Sequence, residues 1–130
     1  MYVAGFTIVR NAVRYDYPVV ESIQSALPLV DEMVVAVGDG NDGTRDLVTD
    51  IDSPKIRIMD THWDDSLRRD GRILAEQTNL AMQACRGDWY LYLQADEVLH
   101  EEDYGRIQSA MHKHQHNNRV EGLSFRYHHF

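Results

Sequence analysis

The sequence predicts an α/β fold: a mostly parallel sheet with helices on both faces. Three observations lead there. Met33-Val34-Val35-Ala36-Val37 is apolar at every position, the pattern of a strand covered on both faces. Strand-like and helix-like segments alternate along the whole chain, in the order β-α-β-α-β-α-β-α-β. Arg10-Asn11, Asp39 and Gln94-Ala95-Asp96-Glu97 each follow a strand, at the carboxyl edge where open sheets of this class bind ligands.

The elements follow in order. Tyr2 to Val9 is rich in β-branched and aromatic residues and reads as the first strand. Asp16 and Pro18 open a helix over Val19 to Leu27, which Pro28 ends because proline has no amide hydrogen to continue it. Asp31 to Val37 is the second strand. Gly38 to Thr44 is a Gly- and Asp-rich turn leading into a helical run to about Thr49. Lys55 to Met59 is a short third strand, and Thr61 to Asp70, without a period, reads as a loop. Gly71 to Cys85 carries Leu74, Leu80, Ala81 and Ala84 at helical spacing, with Gly87 as its stop. Gly87 to Leu93 supplies the fourth strand, Glu101 to His116 a polar helix, and Val120 to Tyr127 a last strand through Val120, Leu123 and Phe125. Repeats, low-complexity tracts and linkers are not evident.

Composition narrows the function. At 130 residues and 43% hydrophobic, the chain is expected to be one soluble domain. Met1 to Val9 is too short for a membrane span and lacks the basic region and cleavage site of a signal peptide. The net charge of -8 argues against a nucleic-acid partner, since phosphate backbones demand clustered Lys and Arg. An anionic ligand would need a metal ion, a helix N-terminus or single arginines. The single Cys85 excludes an internal disulfide and is expected to be a buried hydrophobe in a reducing compartment. A cytoplasmic location follows, with the inner face of the membrane as an option.

The strand Gly87 to Leu93 runs into Asp96 and Glu97, whose carboxylates at a strand's end could hold Mg²⁺ or Mn²⁺ against a diphosphate. Asp39, in a glycine-rich loop that lets a ligand approach the backbone, could accept hydrogen bonds from a ribose hydroxyl or a base imide. Against these stand plainer roles, a cap for Asp96-Glu97 and an ordinary turn for Asp39.

The ordered set Thr7-Ile8-Val9-Arg10-Asn11, Val37-Gly38-Asp39-Gly40-Asn41-Asp42-Gly43-Thr44, Asn79 with Gly87-Asp88, and Gln94-Ala95-Asp96-Glu97 resembles the family 2 glycosyltransferases of the GT-A fold, over roughly residues 3 to 100. The resemblance implies a Rossmann-like nucleotide-binding half and transfer of a sugar from a nucleotide-diphosphate donor to an acceptor glycan or other hydroxyl compound, with Mg²⁺ or Mn²⁺ assisting. It implies donor contacts from Val9, Arg10 and Asn11, a base contact from Asp39, a ribose contact from Gln94 in place of the family's first acid, and Asp96 as the metal ligand. Where the family often carries an arginine this chain has Thr78, and Arg72 is the nearest substitute. The catalytic base maps to no residue here; Glu101, Glu102 and Asp103 suit a helix start better. On this resemblance residues 1–130 are the N-terminal donor-binding part of a longer domain, with the sheet edge covered by a missing C-terminal half or by a second copy of the chain.

Two other classes compete. A donor-site remnant would bind a sugar nucleotide, or nothing, without turnover. A receiver-like signalling module would place paired acids after the first strand and a lysine after the last, and the chain has Arg10-Asn11 and no lysine beyond Lys113. Of the seven histidines, six lie from His100 onward. Only His112 and His116 would share a helical face, too few ligands for a structural zinc site, and His128 and His129 would point to opposite faces of a strand. Tyr90 and Tyr92 share a strand face and are expected in the core.

Overall fold

In the computed structural model, which describes residues 1–67 and 71–128, strands and helices alternate as β1 (Val3–Val9), α1 (Val19–Ala26), β2 (Glu32–Gly38), α2 (Thr44–Thr49), β3 (Ile56–Thr61), α3 (Arg72–Gln83), β4 (Trp89–Tyr92) and α4 (Tyr104–His114). Short 3-10 turns at Asp65–Leu67 and Glu101–Asp103 precede α3 and α4. The sheet is parallel throughout, in the order β3-β2-β1-β4. The chain steps outward from β1 to β2 to β3, then returns to the far side of β1 to lay down β4. The order therefore reverses between β1 and β4, and the crevice beyond their carboxyl ends is the expected ligand position.

Burial explains the layering. All seven residues of β1 are buried and six of seven in β2, so these central strands need cover on both faces. Because side chains alternate, Val3, Val9, Met33, Val35 and Val37 face one way and pack with Val19, Ile23 and Ala26 of α1, Val48 of α2 and Ile107 and Met111 of α4. Ala4, Phe6, Ile8, Val34 and Ala36 face the other way, against Ala81 of α3 and Cys85. The buried Cys85 thiol is pushed up to about 11, first by burial and then by Glu32, which fits an inert core residue. Among the described residues no helix is long and apolar enough to cross a membrane.

Several expectations need correction. Residues 120–128 form no strand: Val120, Leu123 and Phe125 do not hold a period of two, and the segment finds no described strand to pair with. His129 lies outside the described residues. Tyr90 and Tyr92 are 45% and 42% exposed rather than core, because β4 is an edge strand and α3 covers the β1 and β2 side of that face; Tyr92 still stacks on Phe6 at 5.1 Å. Leu74 is 52% exposed, and the buried stripe of α3 is Ile73, Gln77 and Ala81 instead. Gly87 does not end α3, whose cap is Ala84; it sits where a Cβ would lie 2.8 Å from the Tyr2 carbonyl oxygen. The polar helix begins three residues late, after a 3-10 turn whose cap is His100 Nδ1, accepting from Glu102 N–H at 3.1 Å, and it ends at His114, so His112 and His116 do not share a helix.

Candidate functional site at the carboxyl edge

The carboxyl ends of β1, β2 and β3 meet in one charged cluster. After β1 the chain turns through Asn11 at φ 56°, a left-handed conformation that asparagine tolerates, and Tyr15 N–H donates to the Asn11 carbonyl at 3.0 Å. Just before that turn, Arg10 Nε donates to the Asp39 carbonyl at 2.7 Å and lies 3.7 Å from its Oδ1, while Nη1 stands 3.5 Å from Asp65. Asp39 follows β2. Its Oδ1 accepts the Trp63 backbone N–H at 3.1 Å, and its Oδ2 lies 2.6 Å from His62 Nδ1. The Arg10 guanidinium sits over the Trp63 ring at 5.4 Å, a cation–π geometry. Gly38 makes room for this: a Cβ there would overlap the Trp63 indole and lie 3.1 Å from Arg10 Cβ.

Asp39 is therefore held as an anion. The Trp63 N–H, with His62 and Arg10 behind it, outweighs partial burial and keeps its carboxyl below the ordinary 3.8. Its side chain remains 43% exposed, so the carboxylate stays open to a ligand. Next to it, Asp42 accepts Arg14 N–H at 2.9 Å and both Thr44 N–H and the Thr44 hydroxyl, at 3.2 and 2.6 Å, and Thr44 Oγ1 accepts Ala12 N–H at 2.8 Å. These bonds lock the Gly38–Thr44 loop to the turn after β1. A cleft of about 440 Å³ opens beside them, between Asn11, the loop, Asp60 and Thr61.

β4 leaves the sheet opposite Phe6, before β1 ends at Val9, so the turn after it lies alongside the end of β1. Gln94 N–H donates to Glu97 Oε1 at 2.9 Å and the Gln94 carbonyl accepts from the Ser22 hydroxyl of α1 at 3.0 Å. Glu97 thus closes this turn. Asp96 is exposed beside it.

The structure gathers the predicted residues unevenly. Asn11 and Asp39 line the cleft, and Arg10 is bonded to Asp39 beside it. Val9 is 3% exposed with its side chain in the core, so only its main chain borders the site. Gln94 and Asp96 stand on the next strand across, on the order of 10 Å from Asp39 by two strand spacings. Arg72 opens α3 at the same edge and is exposed, and among the described residues no hydrogen bond or ion pair joins it to the cluster. Also among the described residues, no group of three or more His, Cys, Asp or Glu could by itself hold a metal. The donor set at β4, one carboxylate beside one amide, fits a divalent ion only if a ligand brings further oxygens.

Sequence reasoning missed His62, Trp63 and Asp65, leaving them in a loop. A signal was present: an aromatic and two acids directly follow β3, the same position that singled out the other three strand ends. Chemically, the cluster offers a fixed carboxylate beside a guanidinium and an indole, a set suited to a planar, polar ring with an N–H donor, while Gln94 and Asp96 suit hydroxyls and a cation.

The family described as glycosyl transferase family 2 matches residues 7–120. The fold is also that of solved structures of S. aureus TarS. TarS 1-349 aligns with a TM-score of 0.63 at 17% identity, over 88% of this chain and 33% of that one. A second S. aureus TarS structure aligns with a TM-score of 0.64 at 18% identity, over 88% of this chain and 20% of that one. The chain thus spans a third or less of the structures it resembles, and identities this low speak for the fold alone. No curated protein matches it.

Proposed function

The chain belongs to glycosyl transferase family 2, and from that premise we propose that it binds a nucleotide-diphosphate sugar at the carboxyl edge for transfer to an acceptor hydroxyl. The observation that carries the proposal is the Arg10–Asp39–His62–Trp63 cluster at the carboxyl ends of β1, β2 and β3, facing the Gln94–Asp96 turn across the end of β1. In this reading Asp39 accepts the base N–H, and the exposed His62 yields Oδ2 to it. The main chain at Val9, with Arg10 and Asn11, borders the nucleoside, Gln94 meets the ribose, and Arg72 reaches the diphosphate. A divalent cation carried in by the diphosphate and held at Asp96 would offset the negative charge that develops on the leaving group. Glu101, Glu102 and Asp103 start the approach to α4, and we assign none of them to the acceptor proton. Residues 1–130 act in this reading as the donor half of the site. The exposed edge of β4, with Tyr90 and Tyr92, is where the rest of a larger domain or a second copy would sit.

Calorimetric titration of uridine or guanosine diphosphate with Mn²⁺ tests the reading. Asp39→Ala should weaken binding by about tenfold or more, the worth of a hydrogen bond to a charged group. Equal binding would remove Asp39 from the base site. A second reading, binding without turnover, draws on Gln94 standing where an acid would raise metal affinity. It predicts nucleotide binding with no release of sugar from a nucleotide-sugar donor, whatever acceptor is supplied.

A further inference from the structure

The buried stripe of α3 is Ile73, Gln77 and Ala81, spaced four apart, and Gln77 is its one polar member. It is 0% exposed. Its Nε2 donates to the backbone carbonyl of His62 at 3.0 Å, while its Oε1 is buried without a partner. An amide that satisfies one end and orphans the other is a poor source of stability, since burying the unpaired oxygen costs about as much as the single bond returns. What the bond does is local: it ties the first residue past β3 to the helix behind it. That residue and the next are the ones that hold Asp39, through the His62 imidazole and the Trp63 N–H.

We propose that Gln77 is a positioning residue, whose buried amide anchors the His62–Trp63 segment and so fixes the Asp39 carboxylate for its ligand. The ligand part of this rests on Asp39 as the base contact given above; the anchoring part does not. Through the anchor, Trp63 is set against Gly38 and under Arg10, and its N–H is aimed at Oδ1. Without the anchor the His62 carbonyl loses its partner on α3, and the Trp63 N–H, the donor that contributes most to keeping Asp39 ionised, is held less firmly on Oδ1.

Gln77→Met keeps the length and volume and removes the amide. Three measurements are made on it beside the parent chain. Hydrogen exchange of the Trp63 N–H should speed up about tenfold, the scale of one hydrogen bond, with β1 and β2 amides unchanged. The Asp39 carboxyl, followed by ¹³C NMR and identified by its absence in Asp39→Asn, should titrate closer to 3.8. Uridine diphosphate with Mn²⁺ should bind about tenfold more weakly, while inorganic pyrophosphate with Mn²⁺ binds as before. The melting temperature should change little, because the stability lost as Asp39 returns towards 3.8 is offset by removal of the orphaned oxygen. Gln77→Leu serves the same purpose should the Met variant fail to fold. Unchanged Trp63 exchange and Asp39 titration would overturn the proposal, and so would a loss of protection spread evenly through α3 and β2 with a lowered melting temperature, which marks a structural staple. If exchange and titration move as expected but the parent chain binds uridine diphosphate no better than pyrophosphate, Gln77 still positions Asp39 and it is the base-contact reading that fails.

Discussion

At the scale of single residues, Asp39 carries the clearest pH signature. Its carboxyl lies below 3.8 because the Trp63 N–H, the His62 ring and Arg10 favour its anion. A depressed carboxyl contributes stability that is present above the unfolded value and is lost as pH falls through the folded one. Asp39→Asn should therefore melt below the parent chain at neutral pH, and the gap should close as pH drops under 3.8; thermal melting across that range reads it. Asp42, Asp60 and Asp64 share the direction. Asp42 is depressed by donors from Thr44 and Arg14 that outweigh its burial, Asp64 chiefly by Ser66, and Asp60 by Arg45 in the same way, so the acid-side fall is shared among four carboxyls rather than owned by one.

At the scale of elements, β2 and β3 meet the site through a steric fit. Gly38 ends β2 where the Trp63 indole crosses it, and a methyl group there has no free volume. Gly38→Ala should displace Trp63 and cost about 1–3 kcal/mol, the usual range for overpacking, read as a lower urea midpoint with unchanged slope. The same substitution should weaken nucleotide binding, because the displaced indole no longer supports the Arg10 guanidinium that lies over it and beside Asp39. This fit was invisible in the sequence. The glycine was legible as part of a turn, but the residue that needs its missing side chain lies twenty-five positions on, in a segment without a period.

At the scale of the molecule, the two halves of the site stand on opposite sides of β1. Asp39 and its neighbours belong to the β2 and β3 side, Gln94 and Asp96 to the β4 side. A ligand using both must bridge the end of β1, which the base and diphosphate ends of one nucleotide would do. Asp96→Asn should accordingly weaken nucleotide binding when Mn²⁺ or Mg²⁺ is present and leave it unchanged in chelator. Calorimetry in both buffers decides, and an equal loss without metal would make Asp96 a direct ligand of the nucleotide.

The sequence by itself determined the layered parallel sheet and most of its strand ends. A continuous apolar run as short and β-branched as Met33–Val37, set among alternating helices, marks a doubly covered strand, and the residues after a strand in this class face the binding edge wherever the strand lies in the sheet. The last strand was not determined by it, because a strand exists only with a neighbour to share its ladder, and residues 120–128 have none among the described strands. Nor was the burial of Tyr90 and Tyr92, which turns on β4 being an edge. The network around Asp39 was decided by tertiary structure alone: His62 and Trp63 are distant in sequence from Asp39 and reach its carboxylate through the parallel pairing of β2 with β3, which carries Gly38 opposite Thr61, while the packing of α3 sets Gln77 against the His62 carbonyl behind them.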